Sequence, residues 1–171
     1  MAIHPDAFPD NVSPEVKALL EKYFQLSNAS SSHNDHEASM LLLIHVTRLL
    51  NKSEDEQEFA ELFVNDGTYE LAEEQSVGRD EIISFRKKLF ANIPHREHPV
   101  VRIFTFGSDD MNLMCYGTVG YKISDEPVNM QEWAARYEIV RTGPGDLRFK
   151  YVQIIIVSVS SRDESSPARD S

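Results

Sequence analysis

The sequence predicts an α+β domain whose N-terminal helices pack on one face of a curved antiparallel sheet, and three observations carry that expectation. Apolar residues recur at spacings of three and four from Val16 to Phe90, then at strand spacing from Val100 onward. The breaks between the later runs are Gly107-Ser108-Asp109-Asp110, Ser124-Asp125-Glu126-Pro127 and Thr142-Gly143-Pro144-Gly145-Asp146, all turn-formers short enough to join antiparallel neighbours. Helices first and a meander afterwards is the order of an α+β fold, and 171 residues suffice for one core.

Residues 1–12 read as an extended arm ahead of a domain at 13–158. Ser13-Pro14-Glu15 starts the first helix: the hydroxyl caps, proline suits the first helical position, and the acid faces the positive end of the dipole. Val16, Leu19, Leu20, Tyr23 and Phe24 form its apolar stripe, which fades near Leu26. Ser27 to His36 favours a loop, because its Ser and Asn side chains compete for backbone hydrogen bonds. Glu37 to Leu50 reads as a second helix and Glu54 to Val64 as a third, stopped by Asn65-Asp66-Gly67. After a short β segment at Thr68 to Leu71, Gly78-Arg79-Asp80-Glu81 opens another helix, closed by Pro94. It carries Ile82, Phe85, Leu89 and Phe90 inward and Arg86, Lys87 and Lys88 near its end. Val100 to Phe106, Leu113 to Ile123, Asn129 to Arg141 and Leu147 to Ser158 are strands. The tail at 159–171 is too polar to offset its ordering entropy and reads as disordered.

Acidic residues outnumber basic ones by 28 to 17, so the mean field repels phosphate backbones and anionic lipid; no nucleic-acid or membrane partner is expected. The longest apolar stretch, Met40 to Ile44, falls far short of the roughly 20 residues that span a bilayer. Met1 to Asp10 is interrupted by His4, Pro5, Asp6 and Pro9 and makes no signal peptide, which points to a cytoplasmic protein. A single cysteine, Cys115, excludes an intrachain disulfide and multi-cysteine zinc patterns and reads as a small buried hydrophobe. His33 and His36, like His95 and His98, are three apart but have no third ligand at fixed spacing, so no metal is expected. No phosphate-cradling loop, nucleophile elbow or dinucleotide fingerprint occurs, and no cofactor is expected.

Several segments, in their order, resemble a known family. They are Phe59-Ala60-Glu61-Leu62-Phe63-Val64-Asn65-Asp66-Gly67, Gly78-Arg79-Asp80-Glu81-Ile82, Arg96-Glu97-His98, Phe104-Thr105-Phe106-Gly107, Tyr116-Gly117-Thr118-Val119, Trp133-Ala134-Ala135-Arg136-Tyr137 and Phe149-Lys150-Tyr151-Val152-Gln153. The resemblance is to the SnoaL-like branch of the NTF2-like superfamily, and particularly to its small fungal members. It implies a helix-lined cone with a pocket at the wide end, in a family of polyketide cyclases, dehydratases, isomerases and noncatalytic binders. The chain departs from the pattern in a longer link at 30–57 and in its last strand. SnoaL-type cyclases resemble one another in an acidic base there, whereas Phe149 to Val157 offers only Gln153 as an inward polar group.

His98 is the first candidate for proton transfer, since it precedes a strand at the sheet edge and an unperturbed imidazole titrates near pH 6.5; the alternative is a surface histidine in a polar loop. Tyr69, Tyr116, Tyr121, Tyr137 and Tyr151 either bring phenols to a carbonyl or enolate oxygen or serve as core bodies with wet hydroxyls. Trp133 and Gln153 join them as binding candidates: two-residue alternation puts Phe149, Tyr151, Gln153 and Ile155 on one face and Trp133, Ala135, Tyr137 and Ile139 on another, and one of these faces lines the cone. Arg136 either holds an anionic substrate group or pairs with Glu132 or Glu138 on the surface. Asp66 lies where the wide end of the cone is expected, in a segment that also reads as a helix stop.

These residues and the resemblance lead to one expected function, a cofactor-independent cyclase, dehydratase or isomerase in secondary metabolism. Its substrate would be a small cyclic or polyketide-like metabolite, with His98, Tyr137 and Asp66 catalytic. The alternative is a noncatalytic small-molecule binder or scaffold. A homodimer is expected through the open sheet face, with Ile154, Ile156 and Val157 as apolar material.

Overall fold

Ser13 is extended and its Oγ accepts the Val16 N–H at 3.4 Å, so helix α1 (Pro14–Ser27) starts where cap and proline place it. The computed structural model describes residues 3–28, 55–91, 93, 95–122 and 129–157. The expected second helix, most of the long link at 30–57, the Ser124 to Pro127 turn and the 159–171 tail lie outside the described residues. Helix α1 buries the expected stripe, from Val16 to Phe24. Ahead of it, a 3₁₀ turn at Pro5–Ala7 and buried Ile3, Ala7 and Val12 lay the N-terminal segment on the sheet, where Ile3 bridges Val100.

Residues 55–61 form α2, which buries Glu56, Phe59 and Ala60. It ends sooner than its sequence suggests, because Phe63–Leu71 is strand β1. Asn65-Asp66-Gly67 therefore lies in a strand and not at a helix stop. The local preference yields to pairing with the last strand: the Phe149 N–H reaches the Leu62 carbonyl at 2.8 Å. The register then shifts between Phe63 and Thr68, and a Cβ on Gly67 would stand 3.2 Å from the Phe149 oxygen. Strand β2 (Glu74–Val77) pairs back on β1. Gly78, at φ +86°, then turns the chain into α3 (Arg79–Phe90), which ends short of Pro94.

Strands β3 (His95–Glu97), β4 (Val100–Thr105), β5 (Asn112–Lys122), β6 (Asn129–Gly143) and β7 (Asp146–Val157) complete a seven-stranded sheet ordered β2-β1-β7-β6-β5-β3, with β4 also on β5. The meander from β5 to β7 is the expected one. However, β1 runs parallel to β7, so the sheet is mixed and not wholly antiparallel.

Leu113, Cys115 and Val119 of β5 share the inner face with Trp133, Ala135, Tyr137 and Ile139 of β6. On β7 the pairing shifts from Glu138↔Tyr151 to Ile139↔Phe149, and the extra residue, Lys150, reverses the alternation. Phe149, Val152, Ile154 and Ile156 consequently face inward, while Tyr151, Gln153 and Ile155 face outward. That corrects two expectations: that Phe149, Tyr151, Gln153 and Ile155 share a face, and that Ile154 and Ile156 cover the outer surface. Gly117 sits opposite Trp133, where a Cβ would come within 2.2 Å of the Pro99 oxygen and 2.9 Å of the indole. Helix α1 closes the inner face by aromatic contact: Tyr23 lies 5.4 Å from Tyr137 and 5.3 Å from Phe149, and Phe24 lies 5.6 Å from Trp133. The result is an α+β cone, helices on one face of a curved sheet. Among the described residues no helix is long and apolar enough to cross a membrane.

Candidate functional site

Helices α1 and α3 on one side and strands β5 to β7 on the other bound a mostly apolar cavity of about 200 Å³. Its apolar wall comes from Phe24, Val119, Trp133, Ile154 and Ile156, and Trp133 is fixed by its Nε1–H donating to the Thr118 carbonyl at 2.8 Å. The space is comparable to the roughly 150 Å³ engineered cavities that hold benzene, which sets the scale of a ligand at one or two rings.

Polar groups reach the cavity at two places. His98, between β3 and β4, lines it, and Asn28 at the end of α1 fixes its ring. The Asn28 Oδ1 accepts the His98 backbone N–H at 2.8 Å and lies 2.9 Å from Nδ1. The atom that accepts the backbone N–H is the amide oxygen, which carries no hydrogen to donate to the ring, so in the neutral imidazole Nδ1 carries the proton and Nε2 keeps its lone pair. Burial lowers the His98 pKa to about 4, with Arg96 and Arg86 adding repulsion, and the imidazole is neutral at pH 7.

The second group is phenolic. Tyr23, Tyr69 and Tyr137 line the cavity, with Tyr23 coupled to both of the others. Burial raises all three pKa values above the ordinary phenol range, so they remain hydrogen-bond donors at every working pH.

Beside them lie two buried guanidiniums, 1% and 5% exposed. Arg86 of α3 pairs with buried Glu56 through Nε, donates from Nη2 to the Leu26 carbonyl at 3.0 Å, and covers the Phe59 ring at 3.4 Å. Arg96 of β3 donates from Nε to the Ser27 carbonyl at 2.7 Å and lies 3.6 Å over Phe90. Both cations thus satisfy carbonyls that α1 leaves open at its C-terminus, where the dipole favours positive charge. Burial lowers the Arg96 pKa to about 10, which leaves it charged.

Of the residues singled out in the sequence, His98, Tyr137, Tyr69, Tyr121 and Trp133 meet at this cavity. The others lie elsewhere. Tyr116 is exposed and stacks on Phe104, and Arg136 pairs with Glu138. Tyr151 and Gln153 donate to Glu70 at 2.6 and 2.9 Å. Asp66 is exposed, with its carboxylate 2.6 Å from the Lys150 ammonium. Sequence reading missed Tyr23, Arg86 and Arg96. Arg86 had a signal, since it stands four residues from both Ile82 and Phe90 on the buried stripe of α3; Arg96 stood out only as part of the Arg96-Glu97-His98 segment, and no periodicity in a three-residue strand marks it as buried. Among the described residues no three His, Cys, Asp or Glu side chains cluster as a metal site.

No protein-family model matches the chain, and no curated protein matches it by sequence. Solved structures do. ActVI-ORFA from Streptomyces coelicolor matches with a TM-score of 0.59 and 15% identity, over 89% of this chain and 99% of that one. A proposed scytalone dehydratase from Novosphingobium aromaticivorans matches with a TM-score of 0.59 and 13% identity, over 84% and 83%. An NTF2-like protein of unknown function from an Exiguobacterium species matches with a TM-score of 0.57 and 15% identity, over 81% and 98%. At such identities the likeness is one of architecture, and with its helices closing the inner face of a curved mixed sheet this chain has the NTF2-like fold.

Proposed function

We propose that this protein is a cofactor-independent lyase or isomerase acting on a small cyclic or polyketide-like metabolite held in the cavity. The observation that carries the reading is the convergence of a neutral imidazole, its Nε2 unprotonated, with three protonated phenols on the wall of one apolar cavity. His98 Nε2 takes a proton from the carbon next to a carbonyl, while a tyrosine hydroxyl, Tyr137 foremost, donates to the oxygen on which charge develops. The protonated imidazole then returns the proton to another carbon in an isomerisation, or to a departing hydroxyl in a dehydration. Trp133 and Phe24 hold the ring, and the apolar wall keeps water from the anion.

The test is a thermal-shift screen with aromatic polyketides and cyclic ketones, followed by product analysis of every stabilising compound. A converted ligand is expected, with kcat/KM lowered about 100-fold or more in His98→Asn and in Tyr137→Phe. Undiminished turnover in both variants would overturn the assignment. One observation favours a noncatalytic binder instead: the inward face of β7 is Phe149, Val152, Ile154 and Ile156, without a carboxylate. A ligand bound and returned unchanged is the outcome that reading expects. The proposal includes a cytoplasmic homodimer, joined through the outer sheet face, where Phe104, Met114, Tyr116, Ile155 and Val157 are exposed.

A further inference from the structure

Among the described residues the charges buried beside the cavity do not cancel. Arg86 and Arg96 both line it, whereas the buried carboxylate of Glu56 pairs with Arg86 and does not line it. Among the described residues no carboxylate forms an ion pair with Arg96, and its Nη2 has no hydrogen-bond acceptor; Nε and Nη1 reach only the carbonyls of Ser27 and Ile93. Among the described residues the other titratable groups that line the cavity add no negative charge at pH 7: His98 is neutral and Tyr23, Tyr69 and Tyr137 are protonated, while exposed Asp55 and buried Glu56 act on Arg96 without forming an ion pair with it or lining the cavity. A guanidinium that is 5% exposed, whose Nη2 finds no acceptor among the described residues and which leaves the cavity lining one positive charge in excess among them, is costly in an apolar setting unless an anion joins it.

We propose that the cavity ligand is a monoanion, an apolar ring compound bearing one carboxylate, with the carboxylate on Arg96 and the ring against Trp133, Phe24 and Ile154. One net charge matches one carboxylate rather than a doubly charged phosphate ester. Planar N–H donors suit the two carboxylate oxygens, and the cavity leaves room for one or two rings beyond them. The inference deepens the functional reading by naming the substrate class of the same cavity, and it does not depend on turnover.

The experiment is calorimetric titration of the intact protein at pH 7 and low salt with two matched pairs, benzoate against benzyl alcohol and 2-naphthoate against 2-naphthalenemethanol. At least one acid is expected to bind ten-fold or more tightly than its alcohol. Arg96→Gln, which keeps a donor for the Ser27 carbonyl, is expected to remove most of that preference, with its fold checked by circular dichroism and melting. Alcohols that bind as tightly as the acids would overturn the proposal, as would failure of both acids to bind at millimolar concentration or a preference that survives in folded Arg96→Gln. Should that variant not fold, the wild-type acid-to-alcohol ratio alone decides. Because these acids are unreactive, a positive result stands even if no substrate is ever converted, and a negative one leaves the catalytic reading to its own assay.

Discussion

At the scale of single residues, His98 shows how a neighbour decides what a side chain can do. Its ring is held by an oxygen that cannot give up a proton, and two cations nearby oppose its charging. The native pKa, about 4, lies below the unfolded value near 6.5, so as pH falls the unfolded chain takes the proton first. The stabilisation is complete above about pH 6.5 and is lost as pH falls through the native pKa. Between pH 7 and 4.5 wild type is expected to lose about 2 kcal/mol more than His98→Asn, measured by urea unfolding. Equal losses in the two proteins would mean that His98 is not held neutral by the fold.

At the scale of elements, two pieces of structure meet α1 at its last turn, α3 through Arg86 and β3 through Arg96, and α2 joins them through Glu56, which pairs with Arg86. Neither the 12-residue α3 nor the three-residue β3 is long enough to hold its shape alone, and the shared charges join them where the cavity needs a wall. Removing one member of a buried pair leaves the other uncompensated. Glu56→Gln is therefore expected to destabilise the protein by about 3 kcal/mol or more, read as a lower urea midpoint. Adding Arg86→Met should recover at least about 1 kcal/mol, since the isolated charge is then gone. A double variant no more stable than Glu56→Gln would show that the pair acts through packing and not through charge.

At the scale of the whole molecule, one sheet face is closed by helices, and the other, which no described helix covers, is unevenly apolar. Phe104 stacks on Tyr116 near exposed Met114, while Arg136, Glu138, Glu70 and Tyr151 form a polar patch on neighbouring strands. In the homodimer reading the aromatic part of this face is covered by a second copy. Light scattering at micromolar concentration is expected to give twice the monomer mass, and Phe104→Glu to give a folded monomer. A wild-type monomer would refute it.

The sequence by itself determined the helix-then-meander order, the start of α1 at its serine cap, and the face shared by Trp133, Ala135, Tyr137 and Ile139, because caps, turns and two-residue alternation are local. It marked His98, Tyr69, Tyr137 and Trp133, yet could not bring them together. Only the tertiary structure decided that β1 runs beside β7, that an extra residue at Lys150 turns Gln153 outward and Ile154 inward, and that Arg86 and Arg96 lie buried at the end of α1. Strand pairing, bulges and buried charges are settled by partners distant in sequence, and no window along the chain contains both members of such a pair.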